Sequence, residues 1–265
     1  MKYILFALIL YFAFFKNFWL GIAVLTGGFL YIIYNGMPLF YARKGNNSFR
    51  QKNYDLALCY YKKAYETQRA SESVLLTYAI LLLRQGKTDD AEKIFNLIIL
   101  SENKKTRPLI KNKAKQYRAL LYHKTGRIDE AMEEAIWLFD NYKNTISYGI
   151  ICYFKLAMGE PLDKVLKLCE EAYEYNSDDR DIADNMAVAL INNGEYEKAK
   201  EILDKIIENH PTYTEGYYHS AIVYNKLGNN IKAKELLEGI KTNCTRTFLT
   251  TVSDEEIEEL KRNLR

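Results

Sequence analysis

From residue 54 to residue 240, apolar and small side chains recur every three or four positions, in short blocks separated by glycines. Tyr54, Ala57, Tyr61 and Ala64 form one such block, and that spacing places them on one face of an α-helix. Ala183, Met186, Ala187 and Leu190 form another, followed beyond Gly194 by Tyr196, Ala199, Leu203 and Ile206. The blocks repeat. Gly86, Gly126, Gly194 and Gly228 each precede an alanine (Ala91, Ala131, Ala199, Ala233) by five residues. Ala57, Ala91, Ala131, Val165, Ala199 and Ala233 stand 34, 40, 34, 34 and 34 residues apart. A period near 34 predicts an all-α fold in which stacked helix pairs share one continuous core.

The punctuation between blocks predicts the turns. Gly86 ends a helix that opens after Ser71, because glycine takes the left-handed conformation at little cost. The 40-residue interval places six extra residues around Ser101 to Pro108. The fourth pair has one more residue than the others between Gly159 and Val165, with Pro161 suited to a first helical turn. Ser177 or Asp178 is the expected cap of the fifth pair, with Asp179 and Asp181 at the positive end of its helix dipole. Pro211 stops that pair. Lys241 to Thr251 reads as irregular, and Ser253-Asp254-Glu255-Glu256 resembles a capping box opening a last helix, Ile257 to Leu264, that covers the end of the stack.

The first 41 residues follow a different rule. Two apolar runs, Tyr3 to Phe15 and Phe18 to Tyr34, are separated by Lys16-Asn17. The second is long enough to cross a bilayer and the first is short for it. A two-helix hairpin, a single span preceded by an interfacial helix, and a buried soluble element all fit the pattern. A cleaved signal peptide fits poorly, since Phe14, Phe15, Phe18 and Trp19 stand where a small-x-small site would be. Arg43, Lys44, Arg50 and Lys52 precede the first acidic residue, Asp55. That basic cluster keeps the body on the cytoplasmic side of a cell membrane and places four cations near anionic headgroups. The resulting division is an anchor at 1–37, an array at 38–245 (repeats 38–70, 71–105, 106–143, 144–177, 178–211 and 212–245), and a tail with capping helix at 246–265.

Composition narrows the chemistry. Among 265 residues there are only four prolines, which suits long elements and short connections. Mean hydropathy of −0.29 averages an apolar beginning with a polar remainder. A net charge of +3 gives no reason to expect nucleic acid. The basic stretch Lys104, Lys105, Arg107, Lys111, Lys113, Lys115 and Arg118 reads as a solvated helix face, or as a contact for an acidic partner or membrane. Cys59, Cys152, Cys169 and Cys244 lack metal-ligand spacing, and His123, His210 and His219 are scattered, so no metal or other cofactor is expected. Cys152 and Cys169 are expected to face each other as buried packing residues. No phosphate-binding glycine loop or nucleophile elbow is present, so an enzyme is not expected.

At Ala183…Met186-Ala187…Leu190…Gly194-Glu195-Tyr196…Ala199…Leu203…Ile206…Pro211 the chain resembles the tetratricopeptide repeat family, and the likeness extends from about Pro38 to Ile240. The resemblance implies a right-handed superhelical solenoid of about six helix pairs, preceded here by one or two apolar helices. It also implies a concave face, made by the first helix of each pair, that binds a peptide or helix of a partner protein. Asp184 and Glu215 stand where the family's carboxylate clamp would need cations, which argues against that mode. By helical spacing Leu76, Ile80, Leu120, Val188 and Ile222 point inward, with Tyr117, Tyr153, Asn185, Tyr218, His219 and Asn225 as the candidate peptide contacts. The expected function is a membrane-anchored protein-interaction scaffold, with a permanent structural subunit of a membrane complex as the alternative.

Overall fold

Five glycines end helices in the same way, and the pairs are built on them. Gly86, Gly126, Gly159, Gly194 and Gly228 all have φ between +65° and +81°. At Gly194 the amide of Glu195 donates to Leu190 O (2.9 Å) and that of Gly194 to Ile191 O (3.0 Å), closing the helix with two bonds that an L side chain would strain. The chain then reverses, and the next helix opens three residues before its buried small residue.

The computed structural model describes residues 2–102 and 107–264. Among them are fourteen helices and no strand. In order these are α1 (Lys2–Lys16), α2 (Phe18–Arg50), α3 (Tyr54–Glu66), α4 (Glu72–Arg84), α5 (Thr88–Ile99), α6 (Pro108–Lys124) and α7 (Ile128–Asn141). The second half holds α8 (Thr145–Ala157), α9 (Leu162–Tyr175), α10 (Arg180–Asn192), α11 (Tyr196–Glu208), α12 (Thr214–Lys226), α13 (Asn230–Asn243) and α14 (Asp254–Asn263). Two compact units divide between Leu81 and Leu82.

In the first unit α1 folds back along α2 as a helical hairpin. Asn17 makes the turn by accepting from the amide of Trp19 (2.8 Å). Two phenylalanines lie on glycines across the hairpin: a Cβ on Gly21 would run into the ring of Phe14, and one on Gly28 into that of Phe6. The outer faces carry exposed Phe15, Trp19, Leu30, Tyr31 and Ile32. Among the described residues only α2 is long and apolar enough to cross a membrane; α1 is a shorter apolar helix, about 22 Å long at 1.5 Å per residue.

The apolar segment does not stop where the first repeat begins. Pro38 lies inside α2, so the division drawn at 37/38 falls within one helix of 33 residues. Proline removes the N–H that would have bonded the carbonyl of Tyr34. Arg69 takes its place: Nη1 donates to Tyr34 O (2.5 Å), and its guanidinium lies 3.2 Å from the centroid of the Tyr34 ring. Farther along α2, Ala42, Gly45 and Ser48 are buried, and Gly45 receives the ring of Tyr61 from α3. The last part of α2 is therefore the first helix of the first pair. Arg43, Lys44, Arg50 and Lys52 are exposed there, with Lys44 Nζ 4.7 Å from the centre of the Phe40 ring.

In the second unit the pairs α6/α7, α8/α9, α10/α11 and α12/α13 are each packed together, and each second helix also packs on the next first helix. The first helices also meet one another, α6 on α8, α8 on α10 and α10 on α12. They form the inner layer. Alanines or valine at the start of the second helices seal the stack, with Ala91, Ala199 and Ala233 fully buried and Ala131 and Val165 1% exposed. Polar links lie in the same layer: Glu134 on α7 accepts from Arg118 Nη2 (2.5 Å) and Nε (2.7 Å) and from Lys115 Nζ (3.3 Å). Two cations of the basic stretch read as a solvated face thus neutralise a buried carboxylate; Lys104 and Lys105 lie outside the described residues. Cys152 and Cys169 are buried, and their mutual hydrogen bond, with burial, pushes the Cys152 thiol far above its ordinary range.

Two caps differ in detail from expectation. Asp179, rather than Ser177 or Asp178, caps α10, accepting from the amides of Asp181 (3.0 Å) and Ile182 (3.1 Å). The preceding residues are held in a turn by Asn176, which delays the helix. The last helix begins at Asp254 rather than Ile257, with the Ser253–Glu256 capping box formed. Val252, Ile257 and Leu264 cover Tyr217, Ala221, Leu236, Leu237 and Ile240 and close the last pair.

Ala199→Asp places a charge in a contact with no space and no partner. It should cost roughly 3–5 kcal/mol, enough to lower the thermal midpoint by about 10 °C. A melt unchanged from wild type would contradict the pairing.

Candidate functional site

The inner layer is made by four helices, α6, α8, α10 and α12. Tyr117 on α6 is half-buried, with its ring stacked on Phe95 at a centroid distance of 6.4 Å. Burial raises its pKa, and Asp181 adds to this against Arg180 and Arg84. Tyr153 on α8 stands beside His123, ring centroids 5.5 Å apart, and burial together with the Glu215 carboxylate pushes its phenol up to about 12. On α12, His219 Nδ1 lies 3.0 Å from Asp184 Oδ1 of α10. Burial alone would lower the imidazole, but the Asp184, Glu215 and Glu256 carboxylates together outweigh it, and the net pKa is raised.

Other candidate contacts have structural employment. Asn185 is 7% exposed and donates through Nδ2 to Gly149 O (2.9 Å). The amide expected to serve a ligand's backbone serves the neighbouring helix, because α8 and α10 approach closely enough for it to reach across. Asn225 donates to Asn230 Oδ1 (3.1 Å) across the turn between α12 and α13. Tyr218 packs against the terminal cluster under α14. Of the predicted set, the Tyr117 and Tyr153 side chains make no hydrogen bond to a neighbouring helix among the described residues, while His219 pairs with Asp184 of α10.

The segment after α13 crosses this layer. Thr245 N donates to Thr212 O (3.0 Å) at the entry to α12, and Phe248 N donates to Arg84 O (3.0 Å). Phe248 then sits against Gly86, where an added Cβ would meet its ring at 3.5 Å. Lys124, at the end of α6, donates to Thr250 O (2.6 Å). Glu215 Oε1 accepts from Thr251 N (2.6 Å) and Oγ1 (2.9 Å). Residues 247–250 form a turn held by Thr247 and Thr250, with Phe248-Leu249 at its tip. We refer to residues 245–251 as the strap. Its two main side-chain holders, Lys124 and Glu215, were not among the predicted contacts. The available signal was a run of threonines around one phenylalanine between two strongly helical segments.

His123 Nδ1, Tyr213 Oη and Thr214 Oγ1 are buried without a hydrogen-bond partner. The His123 ring stacks on Phe154 at 5.1 Å, and burial together with Lys124 lowers its pKa. Among the described residues no three His, Cys, Asp or Glu side chains are grouped to hold a metal ion.

Comparison with known proteins matches this arrangement to a family. The tetratricopeptide repeat family model matches residues 48–112 and 162–222. Pseudomonas aeruginosa pilF superposes with a TM-score of 0.56 at 14% identity, covering 87% of this chain and 99% of that one. A thermophilic TPR protein in Thermus thermophilus gives 0.54 at 15% identity, covering 73% and 98%. The APC/C hetero-tetramer Cut9–Hcn1 gives 0.64 at 12% identity, covering 92% of this chain and 48% of the chain matched. At these identities the likeness is one of fold. No curated protein matches the sequence.

The raised pKa of His219 makes part of the stability pH-dependent. The folded state holds the proton more tightly than the unfolded chain, whose histidine titrates near about 6.5. The contribution is therefore complete below that pH and is lost as pH rises through the folded value. The gap in melting temperature between wild type and His219→Gln should be widest near pH 5.5 and shrink by pH 9. A gap independent of pH would contradict the ion pair with Asp184.

Proposed function

Because the chain is a tetratricopeptide-repeat protein, we propose that it is a membrane-anchored scaffold, binding a segment of a partner protein on the inner face of its helix pairs. The observation that carries this reading is the continuity of α2. The same helix that exposes Leu30, Tyr31 and Ile32 goes on to bury Ala42, Gly45 and Ser48 against α3. An anchor of this kind confines the first pair to the membrane surface, and confinement raises the effective concentration towards membrane-bound partners. The hairpin of α1 and α2 enters the bilayer from the cytoplasmic side, with Arg43, Lys44, Arg50 and Lys52 at the anionic surface. Tyr117, Tyr153 and His219 offer aromatic area and polar tips to a peptide. The fold is one of binding, and an enzymatic role is not part of the proposal.

A permanent place in a membrane complex is the second reading. It is favoured by Leu97 and Leu100, exposed at the end of the outer helix α5, and by Ile136, exposed on α7. Such a surface suits a lasting apolar contact.

Topology can be read with a native reporter, since Cys59 on α3 is exposed while Cys152 and Cys169 are buried. A membrane-impermeant maleimide should label Cys59 only after cells are broken, with Cys59→Ser as the control; labelling in intact cells would reverse the orientation. A photo-crosslinking residue at Tyr153 should give discrete protein adducts that one at exposed Glu170 on α9 does not. Identical adducts from both positions, or none from Tyr153, would count against binding on the inner face.

A further inference from the structure

We propose that the strap is a built-in occupant of the inner face, and that the partner's segment is a peptide loop of the same chemistry, which binds by displacing it. The inference rests on the scaffold reading and specifies how that site is regulated and what it takes. The chemistry is a hydroxyl-rich turn, Thr247 to Thr250, with an aromatic residue at its tip and one cation, Arg246, just before it.

The strap and the cap that follows it are held differently. Val252, Ile257 and Leu264 of the cap are 5%, 5% and 2% exposed and belong to the core of the last pair. From Thr245 to Thr251 no residue is buried; each is half-buried or exposed. The strap is fastened through its own backbone and through Arg246, whose Nη2 donates to Val252 O (2.6 Å) and whose Nη1 lies 3.3 Å from Asp254 Oδ1 at the start of the cap. Two of its amides donate to the carbonyls of Thr212 and Arg84, one carbonyl accepts from Lys124, and the Thr251 amide and hydroxyl donate to Glu215. These are groups that another peptide backbone can supply equally well. Phe248 against Gly86 is its aromatic anchor, and Gly86 is the residue there without a side chain to obstruct a ring. Departure of the strap would leave the cap in place, since Cys244 ends α13 and Val252 begins the apolar contact of the cap.

Departure would also uncover what the strap shields. Lys124 and Glu215, which bond the strap, would be left as a donor and an acceptor without those partners. A polar group stripped of its partner loses that bond, and an incoming segment that supplies one recovers it. Because the strap is tethered at both ends, its effective concentration at the site is high, and an outside peptide of equal intrinsic affinity competes poorly with it.

The test uses the full chain in detergent micelles and a fluorescein-labelled synthetic peptide of residues 243–253 with serine in place of its cysteine. Phe248→Ala should bind the peptide at least tenfold more tightly than wild type does, by fluorescence anisotropy. Lys124→Ala added to that variant should remove the gain. Equal affinity for wild type and Phe248→Ala, or no binding to either, overturns the proposal. Hydrogen exchange on the wild type needs no variant: the amides of Thr245, Phe248 and Thr251 should exchange at least tenfold faster than that of Ile257, and equal protection overturns the proposal. The scaffold reading fails separately, through absence of inner-face adducts from Tyr153 in both wild type and Phe248→Ala.

Discussion

A pair of amphipathic helices cannot bury its apolar stripe alone, and the rest of this structure depends on how closely the pairs approach one another. The distance is set by side chains with almost no reach. Ala91, Ala199 and Ala233 are fully buried, so the second helix of each pair lies against its neighbours with a methyl group between backbones. The turn glycines matter for the same reason. Their left-handed conformation ends the first helix in two hydrogen bonds and reverses the chain within a few residues, leaving the alanine one turn into the next helix. A looser turn or a larger residue would move the face that follows. The inner layer is one consequence: α6, α8, α10 and α12 come close enough for Asn185 to bond the backbone of α8 and for His219 to reach Asp184.

The same requirement explains how an apolar helix becomes part of the first pair. Between Tyr34 and Ala42 the surroundings of α2 change from exposed apolar side chains to a packed contact with α3. Pro38 lies in that interval, where a broken backbone bond would otherwise leave a carbonyl without a partner. Arg69 supplies the donor and stacks its planar guanidinium on the Tyr34 ring, a combination lysine cannot make. Attachment of the apolar segment to the first pair is therefore covalently continuous and also reinforced from the side.

Much of the fold was legible because its determinants are local and periodic. Gly86, Gly126, Gly194 and Gly228, each five residues before an alanine, announce both the turn and the contact that follows, and Ser253 with Glu256 announces a cap. Pro38 was misleading for a physical reason. Proline usually marks a helix boundary, and its tolerance here depends on Arg69, which lies 31 residues later and carries no local signal. Asp179 displaced the expected caps because Asn176 holds the preceding turn, a preference decided by side-chain geometry rather than residue type. The site was legible only in part. Helical spacing places Asn185 on the inner layer, but it cannot tell that the layer is tight enough there to consume the amide. Lys124 and Glu215 stand at a helix end and a helix start, where a charge ordinarily signals dipole compensation, and their roles come from a segment more than 30 residues away in sequence.

The strap and the cap show why position along the chain is a poor guide to permanence. They are contiguous, and both lie beyond the last helix pair. The cap satisfies a stack whose end would otherwise expose Leu236, Leu237 and Ile240, and it does so with three buried apolar side chains. Nothing comparable holds the strap. Its bonds run from backbone to backbone or involve Lys124, Glu215 and its own Arg246, charged side chains that would be hydrated in its absence, so its release exposes no buried apolar side chain. A segment with those properties, lying over the face that the first helices converge to form, can give way to a ligand without unfolding any pair.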